Sequence, residues 1–200
     1  MDSVIAKAQK LVQQRSVIRS KDFDAAGIPR SYLRRLVLAG KLERVAKGIY
    51  SSPSADATEH RTLVEVARKA PHAIICLLSA LRFHNLTTQS PFEVWIALRR
   101  GAWRPKSGYP PLRVAWLSGP ALNFGIEEHR VEGTRIRVYS PAKTVADCFK
   151  FRSKVGLDVA LQALRECYRE KRATIDQLWE AAKVCHMANV MRPYMESLVQ

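Results

Sequence analysis

"GIPRSYLRRLVLAGKLERVAKGIY", residues 27–50, decides how the front of this chain folds. Gly-Ile-Pro sets up a helix start, with Pro29 near the first helical position. Tyr32, Leu33, Leu36 and Val37 then recur at helical spacing and form one face of a helix that runs to Ala39 and stops at Gly40. Lys41 to Val45 predicts a strand, Ala46-Lys47-Gly48 a turn, and Ile49-Tyr50 the returning strand. Six basic residues (Arg30, Arg34, Arg35, Lys41, Arg44, Lys47) stand in this stretch against one acid, Glu43.

The residues before it extend the pattern. Val4, Ile5, Ala8, Leu11 and Val12 predict an amphipathic helix over about residues 3 to 15. Val17-Ile18 is a brief extended piece. Ser20 is the expected N-cap of a short helix through Ala26, with Gly27 as its left-handed C-cap. Three helices followed by a small hairpin is the order of a winged helix-turn-helix. In that arrangement Arg30, Ser31, Arg34 and Arg35 lie opposite the apolar stripe, where a recognition helix meets the major groove. Arginine suits bidentate contact with guanine and also serves phosphate. Lys47 and Gly48 fall at the wing tip, where a narrow turn lets backbone approach DNA.

Charge supports a polyanionic partner. The chain has 200 residues, 47% apolar and 26% charged, with net charge +15 and pI near 10.1. That excess favours DNA, RNA or an acidic membrane surface. The first 52 residues hold eleven basic side chains against four acidic ones, so +7 of the charge sits on about a quarter of the chain. No run approaches the roughly 18 to 20 apolar residues of a membrane span. The opening MDSVIAKAQK lacks the order of a signal peptide. A cytoplasmic protein without a membrane partner is expected.

Ser51-Ser52-Pro53-Ser54-Ala55-Asp56 reads as a linker. It separates a domain at 1–52 from a second at 58–200. The second half opens with an expected helix from Thr58 to Lys69, then an apolar run from Ala73 to Leu78 and a helix at Ser79 to His84 with Ser79 capping. Strands are expected at 92–98, 112–117, 127–131 and 134–139, the last two joined by Glu132-Gly133. Helices follow after Ser140-Pro141, at 158–169, at 175–183 and near 188–198. Leu157, Val159, Ala160, Leu161 and Leu164 are expected to pack one of these on the sheet. The fold class is therefore α+β: a winged helix-turn-helix followed by a mixed sheet-and-helix domain. Between the first two long strands lies a basic loop, Arg99 to Lys106. Its Arg99, Arg100, Trp103, Arg104 and Lys106 are candidates for contact with DNA or a partner.

Catalytic signatures do not emerge. No GxGxxG, GxxxxGK[ST] or GxSxG occurs. Cys76, Cys148, Cys167 and Cys185 form no CxxC pair, so no metal or cofactor is expected and buried reduced thiols are. Glu127-Glu128-His129 is expected to be solvated strand surface. Asp147 is expected to be a buried carboxylate with a basic or backbone partner. Trp95 and Trp116 are expected in the core.

The run from about Arg19 to Pro53, with "AAGIPRSYLRRLVLAGKLERVAKGIY", resembles the N-terminal domain of AbiEi-type antitoxins, the regulators of type IV abortive-infection toxin–antitoxin systems. "LLSALRFHNLT" and "VYSPAKTVADCFKFRSKVGLDVALQALRE" are similar to that family's second domain. The resemblance implies a repressor that binds inverted repeats of double-stranded DNA before its own operon. It implies action against a neighbouring nucleotidyltransferase-like toxin and no catalytic residues; self-association on DNA is expected instead from the apolar patterning of the second half. It places DNA contacts on Arg30, Ser31, Arg34, Arg35 and Lys47. The alternatives are a nuclease or nucleotidyltransferase-like enzyme carrying a DNA-targeting domain, and a solitary regulator without a toxin.

Overall fold

The computed structural model describes residues 4, 7–8, 11, 17–51, 60–89, 91, 93–105 and 110–199. The chain is α+β and divides into two compact units. The first comprises residues 1–71, 106–110 and 130–136; the second comprises 72–105, 111–129 and 137–200.

In the first unit, Val4, Lys7, Ala8 and Leu11 are helical. The rest of the helix expected over 3 to 15 lies outside the described residues, as does the linker from Ser52 to Asp56. Then come β1 (Val17–Arg19), α1 (Ser20–Ala25), α2 (Ser31–Leu38), β2 (Glu43–Ala46) and β3 (Ile49–Ser51). β3 lies between β1 and β2 and runs antiparallel to both. The α1 cap falls one residue earlier than expected. Arg19 is the N-cap, and its own N–H donates to the Asp22 carboxylate at 2.8 Å. Ser20 is thus already inside the helix. α2 likewise begins at Ser31, two residues beyond Pro29.

Both glycine stops form as the sequence predicts. Gly27 (φ +67°) and Gly40 (φ +66°) each close a helix with paired reverse hydrogen bonds. Ile28 N–H reaches Phe23 O at 2.8 Å and Gly27 N–H reaches Asp24 O at 3.0 Å. Lys41 N–H reaches Leu36 O at 2.9 Å and Gly40 N–H reaches Val37 O at 3.0 Å. These bonds satisfy carbonyls that a helix end otherwise leaves open. Ala8, Ile18, Phe23, Ile28, Leu33 and Leu42 form the core beneath, with Tyr32, Leu36 and Val37 packed against it.

α3 (Arg61–Lys69) completes the first unit. Its Arg68 is 6% exposed, ion-pairs with Asp22 and donates to Thr134 Oγ1 at 3.0 and 2.9 Å. Asp22 therefore both caps α1 and neutralises a buried guanidinium. Val64 of α3 packs with Ile49 and Val131.

A five-stranded mixed sheet runs in the order β6-β5-β4-β8-β7, and all of it but residues 130–136 belongs to the second unit. Its strands are β4 (Ile74–Ile75), β5 (Val94–Arg99), β6 (Leu112–Leu117), β7 (Ile126–Val131) and β8 (Thr134–Tyr139). β5 is parallel to β6 and antiparallel to β4, which is parallel to β8. Glu132 and Gly133, both at positive φ (48° and 67°), turn β7 into β8. Positive φ at both central residues is what a two-residue hairpin turn with the right twist requires.

α4 (Leu77–Phe83) has its N-cap at Cys76, not at Ser79. Ser79 is internal and buried, and its Oγ accepts the Trp95 N–H at 2.9 Å. The hydroxyl thus ties α4 to β5 instead of capping the helix. α5 (Pro120–Asn123), α6 (Pro141–Lys150), α7 (Arg152–Val155), α8 (Leu157–Arg169), α9 (Ile175–Val184) and α10 (Ala188–Val199) follow. α6 is the hub: every residue from Ala142 to Phe149 is buried, with α4, α8 and α9 against it. α8 makes its main contact with α6, not with the sheet as expected. Trp95 is core at 3% exposed, whereas Trp116 is 37% exposed. β6 is one of the two edge strands, and alternation turns Trp116 away from the face that buries Ala115 and Leu117.

Candidate nucleic-acid interface

α2 carries two faces with opposite tasks. Leu33, Leu36 and Val37 dock it on the core. Ser31, Arg34, Arg35 and Leu38 are exposed on the other side, and Arg30 stands exposed at the residue before the helix. At 3.6 residues per turn, Arg30, Arg34 and Leu38 follow one another along a single stripe. Leu38 is 78% exposed, an unusual position for a large aliphatic side chain.

The hairpin closes one side of that stripe. Arg44 of β2 stands opposite Tyr50 of β3. Between α2 and the hairpin lies a cleft of about 470 Å³, lined among others by Arg30, Arg34, Leu38, Arg44 and Tyr50. Three arginines therefore border one concave surface. Arg34 and Arg44 make no ion pair among the described residues. Their charge is available to an anion, and a guanidinium is less strongly hydrated than an ammonium.

The remaining expected residues are placed as follows. Arg35 lies over the Tyr32 ring, 5.5 Å from its centroid. Lys47 is exposed at the hairpin turn. Gly48 (φ +74°) is the residue after it, and its carbonyl accepts the Ser20 N–H at 3.0 Å. That bond fixes the turn against the start of α1. Asp24, near the end of α1, grips Arg30 with both carboxylate oxygens: Nε lies 3.0 Å from Oδ1 and Nη2 lies 2.6 Å from Oδ2. The Arg30 hydrogen bond holds the Asp24 carboxyl below its usual range, and the same pairing raises Arg30. Asp24, Leu38, Arg44 and Tyr50 were not among the residues singled out from the sequence. Arg44 had a signal in its basic neighbourhood. The other three become part of the face only when α1, α2 and the hairpin are brought together.

The basic loop belongs to the second unit up to Pro105. Arg99, Arg100 and Arg104 are exposed, and Trp103 is 67% exposed. Arg104 donates to the Leu112 carbonyl at 3.3 Å. Lys106 lies outside the described residues.

The acidic groups considered for chemistry are engaged inside the second unit. Asp147 is 1% exposed and pairs with the fully buried Lys143 at 2.5 Å. Cys185 donates its thiol to the other Asp147 oxygen at 3.4 Å. Burial pushes the Asp147 carboxyl up, against the pull of Lys143. Glu127 pairs with His129 at 3.2 Å, and the His129 ring sits edge-on to Phe83 at 4.8 Å. That strand is half-buried here, more enclosed than the solvated surface expected for it. All four cysteines are free and buried, and burial pushes Cys167 and Cys185 up to about 12.

Residues 7–53 match the model of the family described as "Transcriptional regulator, AbiEi antitoxin". The matched segment contains α1, α2, the hairpin and the cleft. The match ends before the second unit, where "LLSALRFHNLT" and "VYSPAKTVADCFKFRSKVGLDVALQALRE" lie. The chain has no significant match among curated proteins. Among the described residues, no helix is long and apolar enough to cross a membrane.

Proposed function

We propose, from that match and the basic cleft beside α2, that this protein is a DNA-binding transcriptional repressor with a winged helix-turn-helix at its front. It acts as the antitoxin of a type IV toxin–antitoxin system and represses its own operon at inverted repeats. The observation that carries the reading is the convergence of Arg30, Arg34 and Arg44 on one cleft lined by a recognition-type helix and a hairpin. In this reading α2 enters the major groove, Arg34 reads a base edge, and Arg44 and Lys47 hold the flanking phosphates. The second unit pairs two protomers on an inverted repeat or engages the toxin, with the Trp103 loop as the contact. Protomer contact worth about 1.4 kcal/mol raises occupancy of the second half-site tenfold. The protein works in the cytoplasm, by binding and without catalysis. The sealing of Asp147 against Lys143 supports that part.

The test is titration of the full chain against duplex DNA from upstream of its own gene and against random duplex, over a range of salt. Neutralising about six phosphates gives a slope of log K on log salt near −5. Arg34→Ala is expected to lose about 1–3 kcal/mol on the upstream site and to narrow the gap to random DNA. Lys47→Ala should weaken both duplexes evenly and flatten the slope. A flat salt response of the unaltered protein would remove the DNA reading. Magnesium-dependent cleavage or nucleotidyl transfer that survives Arg34→Ala would replace it with the enzyme reading.

A further inference from the structure

The pairing of Asp24 with Arg30 is out of place on a surface built for phosphate. A carboxylate beside a nucleic-acid face repels the backbone it will meet. Asp24 also lies in the last turn of α1, the end of a helix that disfavours negative charge. Arg30 stands at the N-cap of α2, the end that disfavours positive charge. Both side chains are substantially exposed, 43% and 67% respectively. Exposed pairs contribute little to folding.

The geometry gives the pair a different use. A guanidinium has five N–H donors in a rigid planar fork. Asp24 takes Nε and one hydrogen of Nη2, the side edge of the group. The end edge, with two parallel N–H bonds from Nη1 and Nη2, meets no acceptor among the described residues beyond the Nη2 bond to Asp24. That edge matches the N7 and O6 acceptors of guanine in the major groove. Held by its other edge, Arg30 keeps its plane and direction before DNA arrives, so less side-chain freedom is lost on contact. The pair is also neutral overall. It adds little to the attraction of any phosphate backbone and reserves its donors for a base.

We infer that Asp24 is a positioning residue: it orients Arg30 for bidentate contact with one guanine per half-site and holds it back from non-specific phosphate contact. Arg30 and Arg34 thereby divide the work on α2. Arg34 supplies charge as well as reading, whereas Arg30 supplies discrimination alone. The inference rests on the DNA-binding reading and refines it.

The experiment uses the full chain and a duplex enriched by the unaltered protein from a randomised pool. That duplex is remade with 7-deazaguanine at each guanine in turn, which deletes only N7. Unaltered protein is expected to lose about tenfold at one guanine per half-site, the scale of one good base contact. Asp24→Ala, Asp24→Asn and Arg30→Ala should each erase that sensitivity, and Arg30→Lys should not restore it because an ammonium lacks the fork. Asp24→Ala should also bind random duplex more tightly than unaltered protein, with a salt slope steeper by about 0.9, the mark of one added phosphate contact. The asparagine variant keeps the side-chain shape, so a folding defect confined to alanine does not obscure the result. If Asp24→Ala tightens both duplexes by one common factor and keeps its 7-deazaguanine response, the acid only sets charge and the inference fails. Lowered thermal stability with that response intact would make the pair a clasp across the α1–α2 turn, which also overturns it. Failure of the unaltered protein to bind any duplex is a separate result that removes the DNA reading itself.

Discussion

Asp147→Ala tests how the second unit carries charge in its core. The carboxylate is 1% exposed and Lys143 is sealed beside it on the same helix. The Lys143 ammonium has one further close neighbour of note, the Tyr139 ring at 4.1 Å from its centroid. Alanine removes the counter-charge, leaves the ammonium without water, and strips Cys185 of its acceptor. Breaking a buried pair by deleting one partner costs about 3–5 kcal/mol, a large part of the roughly 5–15 kcal/mol that holds a domain together. All four tryptophans belong to the second unit, so their fluorescence follows it specifically during urea unfolding. With a urea dependence of about 2 kcal/mol/M, the midpoint should fall by about 2 M without a change in slope. Replacing both partners, Lys143→Met with Asp147→Leu, removes the desolvation problem along with the attraction and should recover most of the loss. A midpoint shift for Asp147→Ala equivalent to under about 1 kcal/mol, or a double variant no better than the single one, would refute the claim that this pair is a closed structural unit.

Phe23→Ala empties a fully buried site under α1 and α2 and should cost about 3–5 kcal/mol in the first unit, read as lost hydrogen-exchange protection of those helices and lost DNA binding, with tryptophan fluorescence unchanged. His84 is held below its ordinary value chiefly by burial, with its Nε2 2.7 Å from the Tyr139 carbonyl. The unfolded chain therefore takes up the proton first as pH falls. Its contribution to stability is present above pH ~6.5 and is lost as pH falls through the depressed folded value. His84→Gln should flatten that part of the stability–pH curve.

The sequence by itself determined the features that depend on near neighbours in the chain. The Gly27 and Gly40 stops formed because a residue without Cβ takes the left-handed backbone at low cost, and Gly40 lies just after an apolar stripe of helical spacing. The α2 stripe and the hairpin from Glu43 to Ser51 were legible for the same reason, and so was the resemblance of the front segment to the matched family. So was a buried Asp147 with a partner, although which group answers it, Lys143 one helical turn away, was not read from the residues.

Tertiary structure decided whatever depends on which surfaces meet. Ser20 reads as a cap, but the cap is Arg19 because Asp22 accepts its N–H while also answering Arg68, distant in sequence. Ser79 reads as a cap, but its hydroxyl serves the Trp95 N–H on β5. Trp116 reads as core because the sequence marks its strand but not that the strand is an edge. The cleft itself joins Arg30 at the cap of α2 and Arg34 within it to Arg44 and Tyr50 on the hairpin, and Asp24 reaches Arg30 across a helix end. Periodicity reports which way a side chain points along its own element. What it faces is set by packing between elements, and that information is spread over residues that no local window contains.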